Sequence, residues 1–444
     1  MGGGADMHDF TNVPRSQQRT ALWGSTFAFT VCFAVWTIFS IIGVQIKQEL
    51  GLNDTQFGLL VATPILTGSL SRLALGIWTD QIGGRIVFTA VMLCAAAATW
   101  FLTTMSTYAG YLFAALLVGI AGGSFAVGIA YVSRWFPRER QGTALGIFGA
   151  GNVGAAVTKL GAPLIMVAYG WHTVAQVWSV VLAVTAIVFF LVTRDDPQHA
   201  ARRAAGIRPE PFLKQLEPLR NLQVWRFGLY YFFVFGAFVA LALWLPRYLI
   251  GAYGLDVTTA GLIAAAYSIP ASLFRIVGGW LSDRIGARRV MYWTFGMSAA
   301  CTFLLSYPTT SYVVSGIEGP IEFTLAMGLV PFTVLVFVLG FFMSLGKAAV
   351  YKHIPAYYPN NVGAVGGVVG LIGGLGGFVL PIAFGAMNDL IGIWTSCFML
   401  LFALVSIALT WMHFAIQRMD RARHPEVGRE TDLPEIMAAA QTRK

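Results

Sequence analysis

The chain has 444 residues, of which 57% are hydrophobic and 11% charged, and its net charge is +9. A soluble domain carries about 25% charged residues, so a water-exposed globule is excluded and a lipid bilayer is the expected solvent. The positive balance does not suit nucleic acid, because Lys and Arg sit in short loops between apolar runs rather than on one solvated face.

Residues 1–20 form a polar segment expected in the cytoplasm, with no cleavable signal peptide, since the first apolar run is long enough to span and stay. Spanning takes about 20 apolar residues per helix. Twelve spans are expected, at 21–45, 56–79, 86–105, 108–133, 141–166, 173–193, 223–246, 257–281, 288–306, 326–350, 361–384 and 393–414. They fall into two six-helix halves, 21–193 and 223–414. The stretch 194–222 between them carries Arg194, Arg202, Arg203, Arg208, Lys214 and Arg220 with four prolines, and predicts a polar linker lying partly as helix along the membrane. A charged tail, 415–444, closes the chain. Residues 307–325 make the longest outer loop.

Lys/Arg asymmetry sets the orientation. Arg15, Arg19, Arg85, Arg134, Arg138, Arg140, the linker cluster, Arg284, Arg288, Arg289, Lys352, Arg418, Arg421 and Arg423 fall on one side, whereas the other keeps Lys47 and Arg247. Both ends are therefore expected inside. Cys32, Cys94, Cys301 and Cys397 stand far apart in apolar runs, with no CxxC or Cys/His cluster. Neither a metal site, a disulfide framework nor a cofactor is expected. No nucleophile–base set and no P-loop suggest an enzyme.

An internal repeat organises the chain. Arg72, Gly76, Asp80, Gly83 and Arg85 match Arg275, Gly279, Asp283, Gly286 and Arg288, each pair 203 residues apart (275 minus 72). Each copy places an arginine inside an apolar helix about two turns, roughly 12 Å, before a polar loop. An intramembrane arginine costs about 2.5–3.5 kcal/mol on insertion scales and points to function. No Asp or Glu lies inside any expected span to pair with it. Two unpaired guanidinium groups repel and are costly to desolvate, and a bound anion relieves both. The planar donor fork of arginine suits a small planar oxyanion. The plainer alternative is a structural arginine paired inside the bundle.

The Gly-x-x-x-Asp-x-x-Gly-x-Arg motif after the second helix of each half resembles the signature of the major facilitator superfamily. In it, Asp80 and Asp283 can cap or bridge neighbouring helix ends, and the glycines allow a tight turn and close backbone approach. The resemblance implies a twelve-helix, all-α transporter with its substrate near the bilayer midplane between the halves.

Span 5 holds Gly146-Ile147-Phe148-Gly149-Ala150-Gly151-Asn152-Val153-Gly154, and span 11 holds a longer glycine run from Gly363 to Gly377. Small residues let membrane helices touch. Gly149, Gly151, Gly154, Gly373, Gly374, Gly376 and Gly377 are candidates for a smooth face that rocks, or for static packing. Asn152 can donate to a substrate. With the arginines of spans 2 and 8, these glycine-rich spans resemble the nitrate/nitrite porter family (NarK-type). That resemblance implies that Arg72 and Arg275 clamp the anion, that Asn152 hydrogen-bonds it, and that Tyr231, Phe235 and Phe125 wall it. For the aromatic residues the alternative is ordinary packing.

In span 10, Gly346-Lys347-Ala348 departs from the Gly-Asn-Gly of exchanger-like members and looks more like the family's nitrate/proton symporter branch. Burial disfavours a lysine's charged form and a neighbouring anion restores it, so Lys347 is the candidate for proton coupling. The alternative is a lysine reaching the cytoplasmic edge. Lys352 and His353 are expected at the interface, and Lys159 as a snorkelling or vestibule charge near the outer end of span 5. Glu49, Asp54, His172 and His413, near span ends, are given no proton role. The reading is a monomeric nitrate importer of a bacterial inner membrane, using protons and rocker-switch alternating access, with nitrite as a second substrate. Nitrate/nitrite exchange, another small anion, or an anion sensor are the rivals.

Overall fold

Long apolar runs in a low-dielectric solvent must satisfy their own backbone hydrogen bonds, which makes helices the default. The computed structural model describes residues 14–136, 138–195, 220–357 and 362–423. Residues 1–13, most of the linker 194–222 and the tail beyond Arg423 lie outside these, while the last residues of the N-terminal segment, from Arg15, already belong to the first helix. The first group of helices comprises α1 (Arg15–Trp36), α2 (Phe39–Leu50), α3 (Asp54–Ile82), α4 (Gly84–Leu102), α5 (Tyr108–Val118), α6 (Ser124–Ser133), α7 (Arg138–Gly149), α8 (Gly154–Tyr169) and α9 (Trp171–Val192). The second comprises α10 (Leu222–Tyr231), α11 (Phe238–Tyr253), α12 (Val257–Leu273), α13 (Arg275–Ile285), α14 (Ala287–Ser306), α15 (Leu329–Tyr357), α16 (Val362–Ile391) and α17 (Ser396–Arg423). Among the described residues, 10 helical segments are long and apolar enough to cross a bilayer. The long helices α3 and α14 stand where the second and ninth spans are expected.

Side chains at the rim point outward, among them Val167 at 71%, Leu191 at 75% and Phe414 at 62% exposure. Such a surface is stable only against lipid. Local start signals are ordinary. Asn53 and Gln56 form a capping box on α3. Asp256 caps α12, and its bonds from the Thr259 hydroxyl and from the Thr258 and Thr259 amides hold its carboxyl below the usual value.

The repeat is carried by the backbone. Gly83 takes φ 101 and ψ 140, and Gly286 takes φ 88 and ψ 139, a region closed to most side-chain-bearing residues. Each glycine ends one helix and starts the next. Close backbone approach is not found at the other pair, since no described atom lies within 4 Å of a Cβ built on Gly76 or Gly279. Arg85 donates from Nε to the Phe190 carbonyl at 3.0 Å and stacks on its ring, closing the end of α9. The side chains of Asp80 and Asp283, and hence their expected capping, lie outside what is described.

Among the described residues, the fold departs from all-α at one place. Residues 310–325, expected as loop, form an antiparallel hairpin of β1 (Thr310–Gly316) and β2 (Gly319–Leu325). Gly316 pairs with Gly319 across a two-residue turn, and Tyr312 stacks on Phe323 at 5.3 Å. Glycines flanking a two-residue loop between apolar alternations are a hairpin signal.

Candidate functional site

Several site residues sit at or beside irregularities in their helices, whereas Arg72 lies within the continuous α3. In the first group, a Cβ on Gly68 or Gly122 would stand 2.6 or 2.3 Å from the Trp36 indole. These glycines make a notch that Trp36 fills, and its Nε1 donates to the Pro64 carbonyl at 2.9 Å. Trp36 in turn packs 5.8 Å from the Arg72 guanidinium. A 3-10 turn at Gly119–Gly123 precedes α6 and Phe125, and a second at Ala150–Val153 carries Asn152.

In the second group, Pro270 interrupts the helix ladder, α12 stops at Leu273, and Arg275 begins α13. A π-helical turn, Phe232–Ala237, lies between α10 and α11. Such turns recur at functional sites because they re-aim side chains. Here Tyr231 and Phe235 lie stacked at 5.1 Å and 5°.

These irregularities converge. Arg72 is 8% and Arg275 7% exposed. The Arg72 guanidinium lies 5.4 Å from the Phe125 ring and 5.5 Å from Phe235. That of Arg275 lies 5.8 Å from Phe125 and 5.8 Å from Tyr351. Two cations from opposite groups thus share one phenyl ring and feel each other's charge. Arg72 Nη1 donates to the Gly370 carbonyl at 3.2 Å. Arg72 Nε and Arg275 Nη1 have no partner, nor do the Tyr231 hydroxyl or either amide atom of Asn152. Among the described residues no carboxylate reaches either arginine. A buried polar site left unsatisfied in this way is costly unless something binds there.

Lys347 is fully buried, with its Nζ 3.5 Å from the Phe238 ring centre and no hydrogen bond. It is close enough to Arg275 for the charges to interact. Sequence reasoning missed Tyr351, one turn further along α15. Its hydroxyl donates to the Gly366 carbonyl at 3.1 Å and its ring meets Tyr231 edge-on at 5.0 Å. Trp36 was missed too, since nothing local marks a tryptophan that fills a glycine notch elsewhere in the chain. His353, expected at the interface, is buried at 9% exposure beside Phe227. Lys352 is exposed.

The candidate glycines divide into two sets. A Cβ on Gly151 would meet Phe29 at 2.6 Å, and one on Gly154 would meet the Thr30 carbonyl at 2.0 Å. Both bind α8 and its leading turn to α1, inside one group. Gly373 and Gly376 likewise pack on Tyr231 and on Phe232 and Gly236. Gly149 instead faces Arg275 at 3.2 Å, Gly374 faces Ser69 at 2.3 Å, and Gly377 faces Ile65 at 3.0 Å as well as Val239. Only these three face the other group.

Beyond Gly377, the two groups are bolted together. Asp54 at the start of α3 accepts from Arg247 at 3.0 and 3.1 Å, from Lys47 at 3.2 Å and from Asn388 at 3.0 Å. Asp389 accepts from the backbone amides of Asp54 and Thr55 at 3.1 and 2.7 Å. The last residues of α16 thereby cap α3, a helix in the opposite group. Backbones touch here, since a Cβ on Gly58 would lie 2.3 Å from the Pro381 carbonyl and one on Gly385 2.1 Å from that of Asp54. Sequence reasoning left Asp54 without a role, because its partners are remote in the chain.

Lys159 departs most from expectation. It is fully buried, and its Nζ donates only to the Ala155 carbonyl at 3.1 Å. It neither snorkels nor lines a vestibule.

Comparison with known proteins bears on this site. The family model described as Major Facilitator Superfamily matches residues 25–317 and 248–441. A Thermus thermophilus protein named "Probable nitrate/nitrite antiporter NarK1" is 44% identical over 420 residues, covering 91% of this chain and 93% of its own. A Mycobacterium tuberculosis "Probable nitrate/nitrite transporter NarK2" is 34% identical, covering 82% and 88%. The "Nitrite extrusion protein" of Bacillus subtilis (strain 168) is 29% identical, covering 90% and 95%. Among solved structures, a bacterial homolog of the human lysosomal transporter Spinster superposes with a TM-score of 0.68 at 16% identity, covering 91% of this chain and 98% of that one, which speaks to fold alone.

Proposed function

Because the chain belongs to the nitrate/nitrite porters of the Major Facilitator Superfamily, we propose that it imports nitrate across a bacterial inner membrane together with protons. It crosses that membrane twelve times as two six-helix halves, 21–193 and 223–414. Its ends and the linker 194–222 face the cytoplasm, and it works as a monomer. The observation that carries the reading is the pair of buried guanidinium groups, Arg72 and Arg275, sharing Phe125 without a carboxylate.

Nitrate is flat, and arginine's planar fork matches two of its oxygens at once. Arg72 Nε and Arg275 Nη1 are free to donate, and so are the Tyr231 hydroxyl and the Asn152 amide. Phe125 and Phe235 wall the anion off from water. Its charge draws the two halves together across Gly149, Gly374 and Gly377. The Asp54–Asp389 bolt holds the periplasmic end shut, and releasing it opens the site outward. Alternating access of the rocker-switch kind follows.

Moving an anion inward against the membrane potential costs about 2.3 kcal/mol per charge per 100 mV. Two protons per nitrate turn that cost into a gain. Lys347 is the group in the pocket that can take up a proton with the anion and release it with the anion. Lys347→Asn is expected to weaken uptake driven by a pH gradient about 100-fold more than it weakens exchange, the lower end of what one lost proton-transfer group costs. Proteoliposome uptake under the two regimes checks this, and equal losses would remove Lys347 from coupling.

The pocket's lack of a carboxylate can be tested directly. Asn152→Asp supplies one, which the arginines would adopt in place of the anion. The variant should melt higher than wild type and lose its nitrate-induced thermal shift. A preserved nitrate shift would mean that Asn152 lies outside the anion site.

A second reading, exchange of nitrate for internal nitrite, is favoured by the name of the Thermus relative. Exchange of equal charges needs no proton. Nitrate uptake into proteoliposomes under an imposed pH gradient, compared with internal nitrite loading, separates the two: uptake only with internal nitrite would sink symport.

A further inference from the structure

The described membrane core holds four cationic side chains, Arg72, Arg275, Lys347 and Lys159, each at most 8% exposed. None has a carboxylate partner, and a single nitrate balances only one of them. Lys347 belongs to the second half and Lys159 to the first. Lys159 sits where the halves meet on α8 and α12, since a Cβ on Gly261 would stand 2.5 Å from the Lys159 carbonyl. Its Nζ lies at the Ala155 carbonyl, 3.1 Å away. Ala155 is three residues from Asn152, about 4.5 Å along the helix axis.

No structural duty explains this lysine. Its one bond is to a carbonyl of its own helix, where a methionine would pack without the desolvation cost of an ammonium. The elements against α8 are α1, α2, α9 and α12. Arg15 and Arg19 lie at the far end of α1, and the Cys32 thiol lies within it. Glu49 accepts from Trp171 and Gln45, and Lys47 is held by Asp54. His172 stacks on Trp171, and Tyr267 reaches Met343.

We infer that Lys159 is a second proton site, so that the transporter carries two protons per nitrate, one on a lysine of each half. The inference rests on the symport reading above. From outside, the neutral amine takes a proton on its lone pair as nitrate enters. On the inner side the N–H bond breaks, the proton goes to cytoplasmic water, and nitrate leaves. No electron moves. Net inward charge per cycle is one.

The test is the response of uptake to voltage. Wild-type proteoliposomes at equal pH on both sides should accumulate nitrate about fiftyfold at about 100 mV, interior negative, because one net charge moves inward. Lys159→Gln should leave only Lys347 as carrier. Transport then becomes electroneutral, accumulation at equal pH falls to within about twofold of unity, and a pH gradient still drives uptake. Nitrate counterflow, which needs no net proton movement, should persist and attests folding. Lys159→Arg keeps the charge but cannot release its proton, and should behave as Lys159→Gln does. An unchanged voltage response in Lys159→Gln, or one retained in Lys159→Arg, would overturn the inference. Should Lys159→Gln fail to fold, Lys159→Arg alone decides. A wild type that ignores both voltage and pH gradient would instead sink the symport reading.

Discussion

Replacing either Arg72 or Arg275 by lysine is expected to cut nitrate uptake about 100-fold or more, the scale of breaking a buried, hydrogen-bonded charge contact. The charge survives in such a variant, but its geometry does not. Lysine offers a compact, strongly hydrated ammonium in place of a flat fork. At position 72 it would also forfeit the stacking on Phe125 and Phe235, which lie 5.4 and 5.5 Å from the guanidinium. Tracer uptake and nitrate-induced thermal shift both read the loss. The two single variants should fail alike, because each guanidinium belongs to one half and shares Phe125 with the other. Unimpaired affinity in both would end the clamp as an explanation.

A comparably large effect is expected from one methyl group far from the anion. Gly385→Ala puts a Cβ 2.1 Å from the Asp54 carbonyl oxygen and 2.8 Å from the Thr55 Cα. Both are backbone atoms and cannot step aside. Overpacking of this kind costs about 1–3 kcal/mol, and here only when the halves are closed at that end. The equilibrium should therefore move about 5- to 150-fold toward the state open there. A cysteine at Ile65, buried between this end and the site, would report it. In a background lacking the exposed Cys94, labelling from the Asp54 side should accelerate while steady uptake drops. Gly154→Ala is the control. Its clash with the Thr30 carbonyl at 2.0 Å lies within one half, so it should lower melting without favouring either side. Equal labelling rates in wild type and Gly385→Ala would mean that this contact does not gate.

The contrast between those two glycines marks the boundary of what the amino-acid pattern could tell. Hydropathy placed the helices, because each apolar run reports its own solvent. The interval between matched residues placed Arg72, Arg275, Gly83 and Gly286, because a repeat is written along the chain. Which glycines face the other half could not be read there. Gly154 and Gly149 share one run but touch different groups, and only tertiary packing separates them. Lys159 was misjudged for the same reason. Its place near a helix end suggested water within reach, while α12 packing against α8 seals it in. The hairpin at 310–325 had a local signal in Gly316 and Gly319, yet a loop between two spans was the simpler expectation.

The cap that Asp389 places on α3 has a practical consequence. The amides of Asp54 and Thr55 lead a helix, where backbone donors have no partner within their own segment, and theirs are borrowed from the opposite half. Under the alternating access proposed above, parting of the halves hands those two N–H groups to solvent, while the rest of α3 keeps its ladder. Deuterium should therefore enter at these two amides at a rate proportional to the fraction of time this end stands open, making them an intrinsic gauge of that population that requires no dye, label or mutation.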